Sequence, residues 1–156
     1  MRDGFVKVAA VTPDIRVADV AYNTQNICKM IDETVAKGAK VIVFPELCVT
    51  GYTCSDLFTQ DILLKKSKEA LFKIAEYTKE KDAIIFIGVP LAIDGELYNV
   101  AAALNHGEIL GLTTKTFLPN YGEFYEMRQF RPGPDKARWI TLDGNCLLYT
   151  SDAADD

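Results

Sequence analysis

The chain has 156 residues, 49% of them apolar and 25% charged, the length and composition of one ordinary globular domain that buries a core without disulfide staples. Its 17 Lys and Arg against 22 Asp and Glu give a net charge of -5 with no basic block, which excludes a dedicated nucleic-acid binder. The longest apolar run, residues 83–93, is bounded by Asp82 and Asp94 and falls well short of the ~20 residues of a membrane span. No secretory leader pattern opens the chain, so a cytoplasmic protein with reduced thiols is expected.

Residues 5–11 are largely apolar, close on Thr12-Pro13-Asp14, and predict a buried strand. Asp19 is placed to cap a helix running to Lys37, with Val20, Ile27, Ile31 and Val35 along one stripe and Gly38 as its stop. Residues 40–44 predict a second strand, and Val41-Ile42-Val43-Phe44, apolar at every position, predicts cover on both faces. Strand, helix, strand implies a right-handed parallel crossover. A polar, glycine-containing stretch at 50–59 leads to a second helix over 61–81, with Leu64, Leu71 and Ala75 at helical spacing. Residues 83–90 predict a third buried strand. Asp94-Gly95 and Asn105-His106-Gly107 are turn signals flanking residues 97–104 and 109–114, which predict adjacent antiparallel strands. The sheet is therefore mixed and the class α/β, with no internal repeat or linker.

Phe44-Pro45-Glu46-Leu47 puts a carboxylate directly after an apolar parallel strand, where α/β sheets build their sites. Alone, such a glutamate is more often a cap or the partner of a surface lysine. Lys115, at the end of another strand, could bring an ammonium beside it and stabilise an oxyanion, or simply be solvated. One histidine, His106, sits in a turn, so neither a Ser-His-Asp triad nor a multi-histidine metal site has material to work with. No GxGxxG or GxxxxGK[ST] loop occurs, so nucleotide binding within these residues is not supported. Cys48 and Cys54 lie near Glu46 but read as small buried thiols. The cluster Asn120-Tyr121-Gly122-Glu123-Phe124-Tyr125-Glu126 could line a pocket or merely cover the sheet.

Phe44-Pro45-Glu46-Leu47 with Gly51-Tyr52, followed by Lys115 in Lys-Thr-Phe-Leu-Pro-Asn-Tyr-Gly-Glu-Phe-Tyr-Glu, resembles the nitrilase (carbon-nitrogen hydrolase) superfamily. Within it, residues 47–58 resemble the glutamine amidotransferase domain of the glutamine-dependent NAD synthetase family, and the resemblance covers residues 6–141. It implies a four-layer αββα sandwich of the nitrilase type, incomplete at the C-terminus, and a Glu-Lys-Cys triad that hydrolyses the side-chain amide of glutamine. Glu46 matches the general base and Lys115 the lysine that supports the tetrahedral intermediate. Tyr121, Phe124 and Glu126 are the implied substrate-binding residues, Tyr121 matching a glutamine-contacting tyrosine and Glu126 a second glutamate beside the lysine. The implied partners are glutamine, a C-terminal synthetase domain of the same chain and further copies in a homo-oligomer, with neither nucleic acid nor membrane. No cofactor or metal is expected in this segment; ATP and magnesium belong to the synthetase domain, which converts nicotinic acid adenine dinucleotide to NAD.

The nucleophilic cysteine of that family lies on a later strand, a few tens of residues past the lysine, inside an elbow that this chain does not show. Residues 146–156, Cys-Leu-Leu-Tyr-Thr-Ser-Asp-Ala-Ala-Asp-Asp, instead match the translation of a transposon mosaic-end sequencing adapter. The expected organisation is therefore a partial amidotransferase domain over residues 1–145 and a non-native tail over 146–156, the natural frame continuing past Asn145. As written, the chain is expected to lack glutaminase activity and to fold marginally. The other readings are a stand-alone amidase or carbamoyl hydrolase and a non-catalytic assembly module; a downstream Ser-Gly-Gly-x-Asp-Ser loop in frame would separate the synthetase from both.

Overall fold

The computed structural model describes residues 4–151; residues 1–3 and residues 152–156 of the adapter-like tail lie outside the described residues. Strand β1 (Val8–Ala10) leads to helix α1 (Val20–Ala36), β2 (Val41–Val43), a 3-10 segment (Tyr52–Thr59), helix α2 (Asp61–Tyr77) and β3 (Ile84–Ile93). Then follow β4 (Glu96–Asn105), β5 (Glu108–Thr114), the short helix α3 (Glu126–Gln129), β6 (Arg138–Leu142) and β7 (Asn145–Ser151). The Asp19 carboxylate caps α1 by accepting from the Tyr22 N–H at 3.1 Å. Gly38, at φ 84°, ends the helix by donating to Val35 O. Helix α2 stops at Tyr77 rather than Lys81, because the buried Thr78 turns its hydroxyl onto Ala75 O and accepts the Gly107 N–H at 3.1 Å. That plug fastens the helix to the β4–β5 turn.

The strands form one seven-stranded mixed sheet in the order β1-β2-β3-β4-β5-β7-β6. Strands β1, β2 and β3 are parallel and β3, β4 and β5 antiparallel, as the sequence predicts; β7 is parallel to β5 and antiparallel to β6. Three hairpins turn on Asp94-Gly95, His106-Gly107 and Asp143-Gly144, each with positive φ at both residues, the turn whose twist matches that of paired strands. Strands β6 and β7 were not among the predicted elements.

Two successive parallel crossovers in one direction put α1 and α2 on the same face of the sheet. There they bury Ile42, Ile85, Ile87, Leu104 and Leu112. The opposite face is open: Val8 is 68% exposed, Val43 46%, and Ile84 also faces out. This corrects two expectations. Only Val8–Ala10 of residues 5–11 is strand and it is an exposed edge, while β2 is covered on one face, not both. Within residues 4–151 the sheet has a helix layer on one face, and the apolar side chains of β1 and β2 that point to the other face are exposed. Among the described residues no helix is long and apolar enough to cross a membrane.

Candidate active site

Glu46 leaves the carboxyl end of β2 on a tight turn, with the Gly51 N–H on Leu47 O at 2.8 Å and the Cys48 N–H on Pro45 O at 3.3 Å. Leu47 takes φ 51°, a left-handed conformation costing on the order of 1 kcal/mol, and its fully buried side chain holds it there. The turn presses against β3 at Gly88, where an added Cβ would fall 2.6 Å from Pro45 O and 2.8 Å from the Glu46 carbonyl carbon. Only glycine admits this approach.

Lys115 follows β5, its main chain tied on one side to Asn99 O at 2.9 Å and on the other to the Gly133 N–H at 3.1 Å. Its Nζ lies 2.9 Å from Glu46 Oε1 and 2.9 Å from Glu126 Oε1. Glu126, the first residue of α3, is only 5% exposed, and the same Oε1 accepts the Tyr52 hydroxyl at 2.7 Å. Asn99 Nδ2 donates to Glu46 Oε1 at 2.5 Å. A continuous chain of hydrogen bonds thus runs from Asn99 through Glu46, Lys115 and Glu126 to Tyr52. Burial works against the Lys115 ammonium, but the hydrogen bonds and charges of Glu46 and Glu126 outweigh it and raise its pKa above that of an ordinary lysine. Lys115 is therefore a fixed cation and hydrogen-bond donor, not a base. Burial, then the hydrogen bond to Glu126, raises the Tyr52 phenol likewise, so it stays a donor.

The 3-10 segment and α3, which carry Tyr52 and Glu126, are stitched to each other. Phe58 of the 3-10 segment meets Phe130 edge-on at 5.0 Å between ring centres, and Arg128 of α3 pairs with Asp56 at 3.0 Å. Beside Glu46 and Lys115 lies an open cavity of about 340 Å³, walled by Val43, Phe86, Gly88, Ala101 and Thr113 on the face away from the helices.

Of the residues singled out from sequence, Glu46, Lys115 and Glu126 come together directly. Tyr121 and Phe124 stand at the rim with their rings 5.8 Å apart, Tyr121 71% exposed in a hollow that also borders Lys115, Phe124 in one shared with Tyr52 and Glu126. Asn99, Tyr52 and Gly88 were not foreseen as site residues. His106 is the turn residue expected. Cys48 is buried and its thiol pushed up to about 12 by desolvation, with Sγ on Gly88 O; Cys54 is also buried and raised. Neither is a thiolate near neutrality. Cys146 borders Gly107, Glu108 and Ile109 at the start of β5, roughly 20 Å from Lys115 at 3.3 Å per strand residue, outside the reach of the pair. Among the described residues no group of three His, Cys, Asp or Glu side chains is placed to hold a metal ion.

Glu46 and Lys115 at strand ends of an α/β sheet, with Glu126 from α3 on the same lysine, stand inside the stretch that the Carbon-nitrogen hydrolase family pattern matches, residues 7–147: the chain belongs to that family. A glutamine-dependent NAD(+) synthetase of Aquifex aeolicus (strain VF5) is 41% identical over 134 residues, which is 86% of this chain and 23% of the relative. One from Mycobacterium tuberculosis (strain ATCC 25618 / H37Rv) is 34% identical over 149 residues, 96% of this chain and 22% of the relative. The crystal structure of a glutamine-dependent NAD(+) synthetase from Cytophaga hutchinsonii superposes with a TM-score of 0.87 at 28% identity, covering 93% of this chain and 25% of that one. An amidase from Nesterenkonia sp., at a TM-score of 0.73 and 22% identity over 95% of this chain and 56% of its own, shares the fold. The chain thus spans about a quarter of the length of the synthetases it matches.

Proposed function

We propose that residues 1–145 are the amino-terminal glutaminase segment of a glutamine-dependent NAD synthetase, and that residues 146–156 are a non-native tail. In this reading glutamine is hydrolysed to glutamate and ammonia, and the ammonia serves the ATP-dependent conversion of nicotinic acid adenine dinucleotide to NAD in a synthetase domain further along the same chain. The observation that carries it is Lys115 clamped at 2.9 Å between Glu46 and Glu126. ATP and magnesium fall to the synthetase domain, since residues 1–156 contain no phosphate loop. The whole protein is proposed to work in the cytoplasm as a homo-oligomer.

The chemistry divides among the residues by charge. Glu46 takes the proton of a cysteine thiol supplied from beyond Asn145, and the thiolate attacks the amide carbon of glutamine. The Lys115 ammonium faces the oxyanion that develops as the carbonyl becomes tetrahedral. Glu46 returns its proton to the departing nitrogen, ammonia leaves, and a thioester remains. Water, deprotonated by Glu46, then cleaves the thioester and releases glutamate and free thiol. Glu126 holds Lys115 from its second side, and Tyr121 and Phe124 at the rim are assigned to glutamine binding. Without the thiol, base and lysine form no thioester.

The test is to recover the reading frame past Asn145 from source DNA and assay the full-length protein with glutamine or with ammonium salt as nitrogen donor. NAD formed from both donors supports the reading, and NAD formed from ammonium alone contradicts it. Amide hydrolysis with no NAD formed from ammonium would replace it with the stand-alone amidase.

A further inference from the structure

We infer that Asn99 is a positioning residue for the general base, assigning the two oxygens of the Glu46 carboxylate to different tasks; the inference rests on the amide-hydrolase reading above. Asn99 lies on β4 opposite Pro90, on the sheet face that carries the site, and is 4% exposed. It touches both members of the pair. Its side-chain amide donates to Glu46 Oε1 at 2.5 Å and its main-chain carbonyl accepts the Lys115 N–H at 2.9 Å. A carboxylate offers acceptors alone, which fixes the Asn99 amide with nitrogen toward Glu46.

Both donors that reach Glu46, Asn99 Nδ2 and Lys115 Nζ, converge on Oε1; among the described residues none reaches Oε2. Proton transfer needs an acceptor oxygen with a free lone pair at hydrogen-bond distance from the donor. Oε1 is committed to anchoring, so Oε2 is the oxygen that takes the thiol proton and passes it to ammonia. Lys115 alone does not enforce this division, because it is shared with Glu126 and is a single contact about which the carboxylate turns. Two donors on one oxygen, one from β4 and one from the segment after β5, remove that freedom, and keeping a reacting group within tenths of an ångström of its productive place is worth orders of magnitude in rate. The charges around Asn99 require that the donor be neutral: Glu46 faces it directly, with Lys115, Glu126 and the Tyr52 hydroxyl beyond. A carboxylate in its place would set a third negative group on one ammonium.

The experiment uses the full-length protein with Asn99→Ala and the near-isosteric Asn99→Asp, measuring glutamate release across pH, ammonium-supported NAD synthesis and thermal unfolding. For Asn99→Ala the glutaminase kcat should fall about 10- to 100-fold with KM within about twofold, and ammonium-supported synthesis should be retained. For Asn99→Asp the loss should be larger at pH 8 and narrow toward about pH 5, as the introduced carboxyl gains a proton to donate. Unchanged kcat in Asn99→Ala overturns the inference, as does a deficit in Asn99→Asp that does not vary with pH. The second criterion stands even where the alanine variant fails to fold. An unsubstituted full-length protein without glutaminase activity would instead defeat the reading on which the inference rests.

Discussion

At the scale of single residues, the site is held by contacts between segments far apart in sequence. Gly88 matters because a side chain there would enter the Pro45–Glu46 backbone. Gly88→Ala is expected to shift that turn, destabilise the full-length protein by about 1–3 kcal/mol and lower glutaminase kcat/KM at least 10-fold, measured by thermal unfolding and glutamate release. Cys48 should resist alkylation at pH 8 in the folded protein and react only in denaturant, since burial keeps its thiol protonated up to about 12. Lys115 sets a pH dependence of definite sign. Its folded pKa is raised above 10.5, so the stability from its pairing is fully present below 10.5 and lost as pH climbs through the higher folded value. Alkaline unfolding of Lys115→Met should lack that loss. Glu46 and Lys115 were legible because each ends an apolar strand inside a distinctive run of neighbours. Asn99 and Tyr52 were not, because they meet their partners across 53 and 74 residues and nothing in Tyr98-Asn99-Val100 or Gly51-Tyr52 marks the distant acceptor.

At the scale of elements, the polar side of the site depends on the 3-10 segment and α3, too short to be stable alone. Phe58 against Phe130 and Arg128 against Asp56 hold them together, so that Tyr52 and Glu126 meet. The buried ring contributes most of this, and the exposed ion pair well under 1 kcal/mol. Phe58→Ala in the full-length protein is therefore expected to cost about 3–5 kcal/mol and to impair glutamine hydrolysis, whereas Asp56→Asn should leave unfolding temperature nearly unchanged. Periodicity located both long helices and β3, β4 and β5. It misjudged β1 and β2, because an apolar strand says that a face is covered in the finished fold and not which residues cover it. The β6–β7 hairpin carried its own signal, Asp143-Gly144 between Arg138–Leu142 and Asn145–Ser151, the same Asp-Gly turn that was read correctly after β3.

At the scale of the molecule, one face of the sheet has its helices and the other presents Val8, Val43, Ile84 and the mouth of the cavity beside Glu46. An uncovered apolar face of this kind leads to dye binding, association and a broad thermal transition when the 156-residue chain is prepared by itself; a sharp, monomeric, cooperative melt would contradict that expectation. Glu46 and Lys115 are already paired beside this face. The most direct measurement is glutamate release by the full-length protein carrying Glu46→Gln, alongside the unsubstituted protein and with ammonium-supported NAD synthesis as the control. Loss of glutamate release by at least about 1,000-fold with the ammonium reaction intact is the expected result. Glutamine hydrolysis that survives Glu46→Gln at the unsubstituted rate would show that the Glu46–Lys115 pair is not the catalytic centre.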